Sequence, residues 1–200
     1  GLGIMGKPMA GHLLAAGNVV YVFDVNTDSV KELAAKGAVA CDSSKDVAAQ
    51  SEIIFTMVPD TPDVEKALFG EAGIAEGAKK GSVVVDMSSI SPIATRDFAK
   101  RLADIGVDML DAPVSGGQVG AEAGALTVMA SGPEAAFARA EAVLAAVAKT
   151  VYRLGDEPGM GATYKVVHQL AAGVHLVAAA ELMALGAKVG CEPEKLFEIV

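Results

Sequence analysis

The sequence predicts an α/β domain over residues 1–156, followed over residues 157–200 by the start of an all-helical domain. Three observations carry this. Short Val/Ile-rich runs alternate with segments of helical period as far as about residue 156. After GDEPGMG the strand-like runs stop, and only helical spacing remains from Ala162 to Lys188. The composition is 52% hydrophobic yet only 4% aromatic, with 22 glycines, which suits close-packed parallel strands flanked by helices.

In chain order, GLGIMGKPMAGHLLAAG reads as a glycine-rich turn entering a helix, and VVYVFDV (19–25) as a buried strand ending at an acid. Asn26, Thr27 and Asp28 supply a cap for the helix SVKELAAKG, which Gly37 closes. AVAC (38–41) is a short strand, SSKDVAAQ (43–50) a short helix and EIIFTMVP (52–59) a strand stopped by Pro59. A polar turn leads to the helix DVEKALFG, and SVVVDMSS (82–89) is the next strand. SPIATRDFAKRLADIG (91–106) is helical, with proline tolerated near its start. VDMLDAPV (107–114) is strand-like and SGGQVGAEAG (115–124) a glycine-rich connection. LTVMASG, the helix EAAFARAEAVLAAVA and the strand TVYRLG complete the alternation, and a second helix of the following domain starts at Glu192–Pro193.

A net charge of −9 with no basic cluster argues against a nucleic-acid surface. Cys41 and Cys191 form no CxxC motif and are expected to be reduced, buried thiols of a cytoplasmic protein. Mean hydropathy is +0.42, but the longest charge-free stretch, Val166 to Ala180, contains His168, Gln169 and His175 and is short for a bilayer span, so no membrane partner is expected. His168 and His175 share a helical face but find no third ligand at a zinc-like spacing, so no metal is expected. His12 reads as a packed or surface residue, and Lys31, Glu32, Lys79 and Lys80 as solvated faces.

Gly1, Gly3 and Gly6 fill a GxGxxG template: the first allows the tight turn, the second close approach of a pyrophosphate, the third close helix–strand packing. Asp24 lies 18 residues beyond Gly6 at the end of the next strand, near the spacing of an acid that binds the adenosine ribose. An acid there repels a 2′-phosphate, and neither Val25 nor Asn26 is basic, so NAD is favoured, with NADP as the alternative. The strand that the template requires before Gly1 is not in the sequence, and the chain is expected to be truncated at both ends. Near the other end, Lys165, His168 and Gln169 are spaced to share one face of an apolar helix.

Taken together, GLGIMGKPMA, TMVP (56–59), DMSSISP (86–92), DAPVSGG (111–117) followed by Ala121, Gly124 and Leu126, and GMGATYK (159–165) resemble the β-hydroxyacid dehydrogenases. That group contains 3-hydroxyisobutyrate dehydrogenase, tartronate semialdehyde reductase and L-threonate dehydrogenase, and the resemblance runs through essentially all 200 residues. It implies a Rossmann-like domain and a helical domain that assembles a homodimer or homotetramer. It implies hydride transfer between NAD and a small β-hydroxy or β-oxo carboxylate, without a metal. By the same resemblance, Gly1, Leu2, Gly3, Ile4, Met5, Gly6, Asp24, Asn26, Met57, Val58, Pro59 and Ser89 bind the cofactor. Ser115, Gly116 and Gly117 hold the substrate carboxylate, and Lys165 is the catalytic residue.

A Gly-Gly turn offers successive amides and a hydroxyl as an anion site, and a desolvated lysine can exchange a proton with the reacting oxygen. His168 stands where many members have asparagine, and the Lys-x-x-His-Gln form looks most like the L-threonate branch, whereas GLGIMGKPM and DMSSISP look closer to tartronate semialdehyde reductase. His168 and Gln169 are expected to hydrogen-bond the lysine or a substrate hydroxyl. L-Threonate or a related sugar acid is the first candidate substrate, tartronate semialdehyde/glycerate the second and 3-hydroxyisobutyrate the third. A non-catalytic NAD-binding assembly protein is the alternative of another class, and imine reduction on the same scaffold a further one; Lys165 argues against both.

Overall fold

The structure is a computed structural model that describes all 200 residues. By contacts the chain divides into two compact units, Gly1–Lys165 and Val166–Val200.

In the first unit, eight helices, the start of a ninth and eight strands alternate along the chain, and the strands form three small sheets. α1 (Gly6–Ala15) leads to β1 (Tyr21–Val22), α2 (Thr27–Ala34) and β2 (Val39–Ala40), with β1 and β2 parallel. The Asn26 side chain accepts from the Asp28 amide, as the sequence predicts for the α2 cap. α3 (Ser44–Gln50) precedes β3 (Ile53–Thr56), α4 (Thr61–Phe69), the short α5 (Ile74–Gly77), β4 (Val83–Asp86), α6 (Pro92–Ala103) and β5 (Asp108–Asp111). β3, β4 and β5 form a parallel sheet, and all four residues of the central β4 are buried, which is why that run is continuously apolar up to Asp86.

β6 (Val114–Ser115) and β7 (Leu126–Ala130) are antiparallel around α7 (Gly117–Glu122). α8 (Glu134–Ala145) then leads to β8 (Ala148–Arg153), parallel to β7. An isolated antiparallel bridge between Asp111 and Ser131 links the end of β5 to the end of β7. The largest core cluster joins Met9 and Leu13 of α1, Val83 and Val85 of β4, and Leu126 and Val128 of β7 to Ala136, Ala140 and Leu144 of α8. Alanine at the α8 positions lets helix and sheet approach closely, which fits the small-residue composition.

Several elements differ from the sequence reading. The stretch 107–114 divides into β5 and β6 because Ala112 and Pro113 interrupt the ladder, and the proposed connection 115–124 contains the helix α7. The outer strands around 19–25 and 38–41 shrink to two residues each. Neither cysteine is fully buried: Cys41 is half-buried, Cys191 is exposed, and both are free.

In the second unit, α9 (Met160–Lys188) continues to its end, and α10 (Pro193–Ile199) follows. Leu196 packs against Gly186, where a Cβ would fall 2.1 Å from its Cδ2. Leu170, Val174, Val177, Leu185 and Phe197 are exposed. α9 is 29 residues long with an 18-residue window of mean hydropathy 1.7, so by length and composition alone it is long and apolar enough to cross a membrane.

Candidate cofactor and active site

The glycine turn is built from two packing glycines around one open one. A Cβ on Gly1 would fall 2.2 Å from the Met57 carbonyl oxygen, and one on Gly6 would fall 2.0 Å from the Gly1 carbonyl oxygen. A Cβ on Gly3 would meet nothing within 4 Å. The protein's own packing therefore requires glycine at 1 and 6, whereas at 3 glycine leaves free a surface that only a ligand would need. The Gly3, Ile4 and Met5 amides donate to no group of the protein. This open backbone is the cradle that a pyrophosphate fits.

The Asp24 carboxylate stands beside the turn. It accepts from the Leu2 amide, and from the Asn26 amide at 2.7 Å. Two fixed amides thus orient the acid that was expected to meet the ribose. Gly1 to Gly6, Asp24, Met57, Val58, Pro59 and Ser89 all line one cavity. Asn26 does not line it; its side chain is committed to the α2 cap.

A buried network, absent from the sequence reading, supports the Met57–Pro59 wall. Asp86 Oδ1 accepts from Thr56 Oγ1 at 2.8 Å and from the Ser88 amide at 3.1 Å. Ser88 Oγ in turn accepts from the Val58 amide at 3.0 Å. Burial pushes the Asp86 carboxyl up to about 6, with the hydrogen bonds from Ser88 and Thr56 opposing the shift. The signal available in the sequence was an acid at the end of an otherwise apolar run, followed by two serines.

Ser115 closes β6, and Gly116 and Gly117 follow at φ of +123° and +58°, backbone that favours glycine. A Cβ on Gly117 would meet nothing within 4 Å, so this turn also leaves open space. The turn is tied to α1 by His12, whose Nε2 lies 2.9 Å from the Glu122 carbonyl oxygen in α7. His12 is thus a packing residue that links the glycine-turn helix to the Gly-Gly segment.

Lys165 lies in the second turn of α9 and is only 7% exposed. No hydrogen bond or salt bridge engages its ammonium, and burial holds its pKa below the ordinary lysine value. Lys165 does not line the cofactor cavity. His168 and Gln169 follow on the same continuous helix and are exposed.

The open position of Gly3 makes a direct prediction. Gly3→Ala is expected to leave the melting temperature unchanged while weakening NAD binding by at least about tenfold, read by calorimetric titration, because the methyl occupies only the approach to the pyrophosphate. An unchanged affinity would show that the turn does not meet the cofactor.

Residues 1–155 match the family described as the NAD binding domain of 6-phosphogluconate dehydrogenase. Over 200 residues, all of this chain and 66% of the relative, the sequence is 46% identical to 2-(hydroxymethyl)glutarate dehydrogenase of Eubacterium barkeri. It is 42% identical to 2-hydroxy-3-oxopropionate reductase of Escherichia coli, over 98% of this chain and 66% of that one. To L-threonate dehydrogenase of Cupriavidus necator it is 40% identical, over 100% and 67% respectively. The crystal structure of a 3-hydroxyisobutyrate dehydrogenase from Salmonella typhimurium superposes with a TM-score of 0.94 at 43% identity, covering all of this chain and 70% of that one. The chain thus spans about two thirds of the length of the relatives it matches. With the glycine cradle, the oriented acid and the buried lysine in the same order as the motifs that carry the resemblance, the chain belongs to the β-hydroxyacid dehydrogenase family.

Proposed function

We propose that the protein is an NAD-dependent oxidoreductase that interconverts a small β-hydroxy carboxylate and its carbonyl form. The observation that carries this is Lys165: a buried lysine without an anionic partner, its pKa lowered by burial, on a chain whose other unit-1 motifs build a dinucleotide cradle. A structural lysine usually reaches solvent or pairs with a carboxylate. The nicotinamide, when bound, accepts or supplies the hydride. Lys165 takes the hydroxyl proton during oxidation and returns it during reduction. The Ser115 hydroxyl and the amides of Gly116 and Gly117 hold the substrate carboxylate. His168 and Gln169 hydrogen-bond the lysine or a second substrate hydroxyl.

Asp24 supports NAD over NADP, since its charge opposes a 2′-phosphate at the position that the Leu2 and Asn26 amides orient. We place the dinucleotide-binding domain at residues 1–156 and the helical domain from residue 157. The contacts divide nine residues later because the first turns of α9, with Gly161, Ala162 and Lys165 buried, pack with the α/β unit. The exposed apolar residues of α9 and α10 support assembly into a homodimer or homotetramer, and the two free cysteines fit a cytoplasmic location.

The substrate is an L-threonate-like sugar acid or tartronate semialdehyde/glycerate, with 3-hydroxyisobutyrate as the alternative; relatives named for these compounds, and for 2-(hydroxymethyl)glutarate, all match. The test uses the full-length protein and follows NAD reduction with L-threonate, D-glycerate, 2-(hydroxymethyl)glutarate and 3-hydroxyisobutyrate. Turnover of one of them, with NAD preferred to NADP by at least about tenfold in kcat/KM, is the expected result. Silence on all four with NAD bound would favour the non-catalytic assembly protein.

A further inference from the structure

The segment GMGATYK and the acid of DAPVSGG meet at the start of α9, and the function above uses only the lysine of the first and the Ser-Gly-Gly of the second. The α9 N-terminus lacks a capping side chain of its own, since Gly159 stands at that position with φ +103°. Its amides are instead satisfied from two distant strands. Asp111 Oδ1 accepts from the Gly159 amide and Oδ2 from the Ala162 amide, both at 2.7 Å. Ser131 Oγ accepts from the Met160 and Gly161 amides at 3.0 and 2.9 Å, and donates to Asp111 Oδ1 at 2.5 Å. All four amides that the helix itself leaves unpaired at this end are therefore held by two buried side chains.

The approach is close enough to dictate residue types. A Cβ on Gly161 would fall 2.2 Å from the Met129 carbonyl oxygen and 2.9 Å from that of Asp111. One on Gly159 would fall 2.9 Å from Arg96 Cγ. The two glycines of GMG are required by the docking of the helix end.

We propose that Asp111 and Ser131 are positioning residues for Lys165, forming a two-sided clamp that sets the axial position and the rotation of α9 relative to the Ser115–Gly117 turn. Lys165 lies three residues beyond Ala162, less than one turn or about 4.5 Å along the axis. Its side chain leans back toward the clamped end, as helical side chains do. Four amides held at four positions around the first turn oppose both sliding and rotation.

The same frame carries the proposed carboxylate site. Asp111 is four residues before Ser115 in one segment, and β6 pairs Ser115 with Thr127 of β7, four residues before Ser131. The bridge between Asp111 and Ser131 closes this frame at its other end. A carboxylate at a helix N-terminus is also electrostatically favourable, which helps Asp111 to remain useful while buried. Asp86 is a neighbouring carboxylate, and the charge of Asp111 adds to the upward push on it.

The inference rests on the assignment of Lys165 in the proposed function, and the test separates the two. In the full-length protein, Ser131→Ala removes the one oxygen that accepts from two amides and Asp111→Asn places an NH₂ donor against an amide. Each variant is compared with wild type for melting temperature, NAD affinity, kcat, and the titration of Lys165 followed by carbon NMR after reductive methylation, with the signal assigned by its loss in Lys165→Arg. The expected result is a Lys165 titration displaced upward as the loosened helix lets the ammonium reach water, a kcat lower by about tenfold to a hundredfold, and NAD affinity within about twofold of wild type. A displaced titration with kcat unchanged would uphold the clamp and remove Lys165 from catalysis. An undisplaced titration in folded Ser131→Ala protein overturns the clamp, whatever Asp111→Asn does to folding.

Discussion

Lys165→Ala is expected to lower kcat by at least about a hundredfold on whichever hydroxy acid the full-length protein oxidises, with NAD affinity within about threefold of wild type. The cradle at Gly1 to Gly6 and the acid at Asp24 are untouched by this change, and Lys165 does not line their cavity. Lys165→Arg is expected to fail almost as badly, because a guanidinium keeps its proton throughout the working range and cannot serve as the base. Burial lowers the lysine pKa, so the rate of oxidation in the wild type should rise with pH and level off below the ordinary lysine value of 10.5. The rise comes from the neutral amine, the form that can take the hydroxyl proton. Steady-state kinetics of the two variants and a pH profile of the wild type are the measurements. A variant that turns over at the wild-type rate would remove the lysine from the chemistry.

Asp86→Asn is expected to change the pH dependence of stability. The Asp86 carboxyl, 1% exposed, is pushed up to about 6 from an ordinary 3.8. Between those values the folded protein keeps a proton that the unfolded chain has released, so stability falls as pH rises from about 4 to about 6. Above 6 both states are ionised at this group and the whole penalty is present, on the order of 3 kcal/mol for a displacement of about two pH units. Asparagine keeps an oxygen for Thr56 Oγ1 and the Ser88 amide and carries no charge. Urea unfolding of both proteins at pH 4.5 and pH 7.5 should therefore show the variant gaining on wild type by about 2 kcal/mol between the two pH values, since part of the penalty is already present at pH 4.5. Constant terms, such as the fit of the carboxamide NH₂, cancel in that comparison. Parallel stability curves would mean that the folded carboxyl titrates near its ordinary value, its charge being better solvated than its burial indicates.

The contrast between these two residues shows what kind of information each level holds. Lys165 was found through a local motif, GMGATYK, in which neighbouring residues identify one another. In the sequence Asp86 is one residue of the strand-like run 82–89 and of DMSSISP; its distant partner Thr56 reaches it because β3 and β4 pair in register, with Thr56 opposite Asp86. The roles of Asp111 and Ser131 were still less legible, since the amides they hold lie 29 to 51 residues away and none advertises its need for an acceptor. The helix α7 escaped notice because glycines at 116, 117, 120 and 124 carry no helical period, while contacts such as the one from His12 hold that segment in place.

What the sequence by itself determined were the features written in short-range periodicity and residue type: the alternation of strands and helices, the glycine turn with Asp24, the long apolar helix and its Lys-x-x-His-Gln face. These depend on backbone sterics and side-chain spacing within about twenty residues, which a linear reading preserves. Only the tertiary structure decided which strands paired and how short the outer ones became. It also decided which glycines are demanded by packing and which leaves room for a ligand, and which carboxylates are buried and what they hold. Those properties arise from atoms far apart in the chain brought within a few ångströms, and from the loss of water around them, neither of which has any local signature.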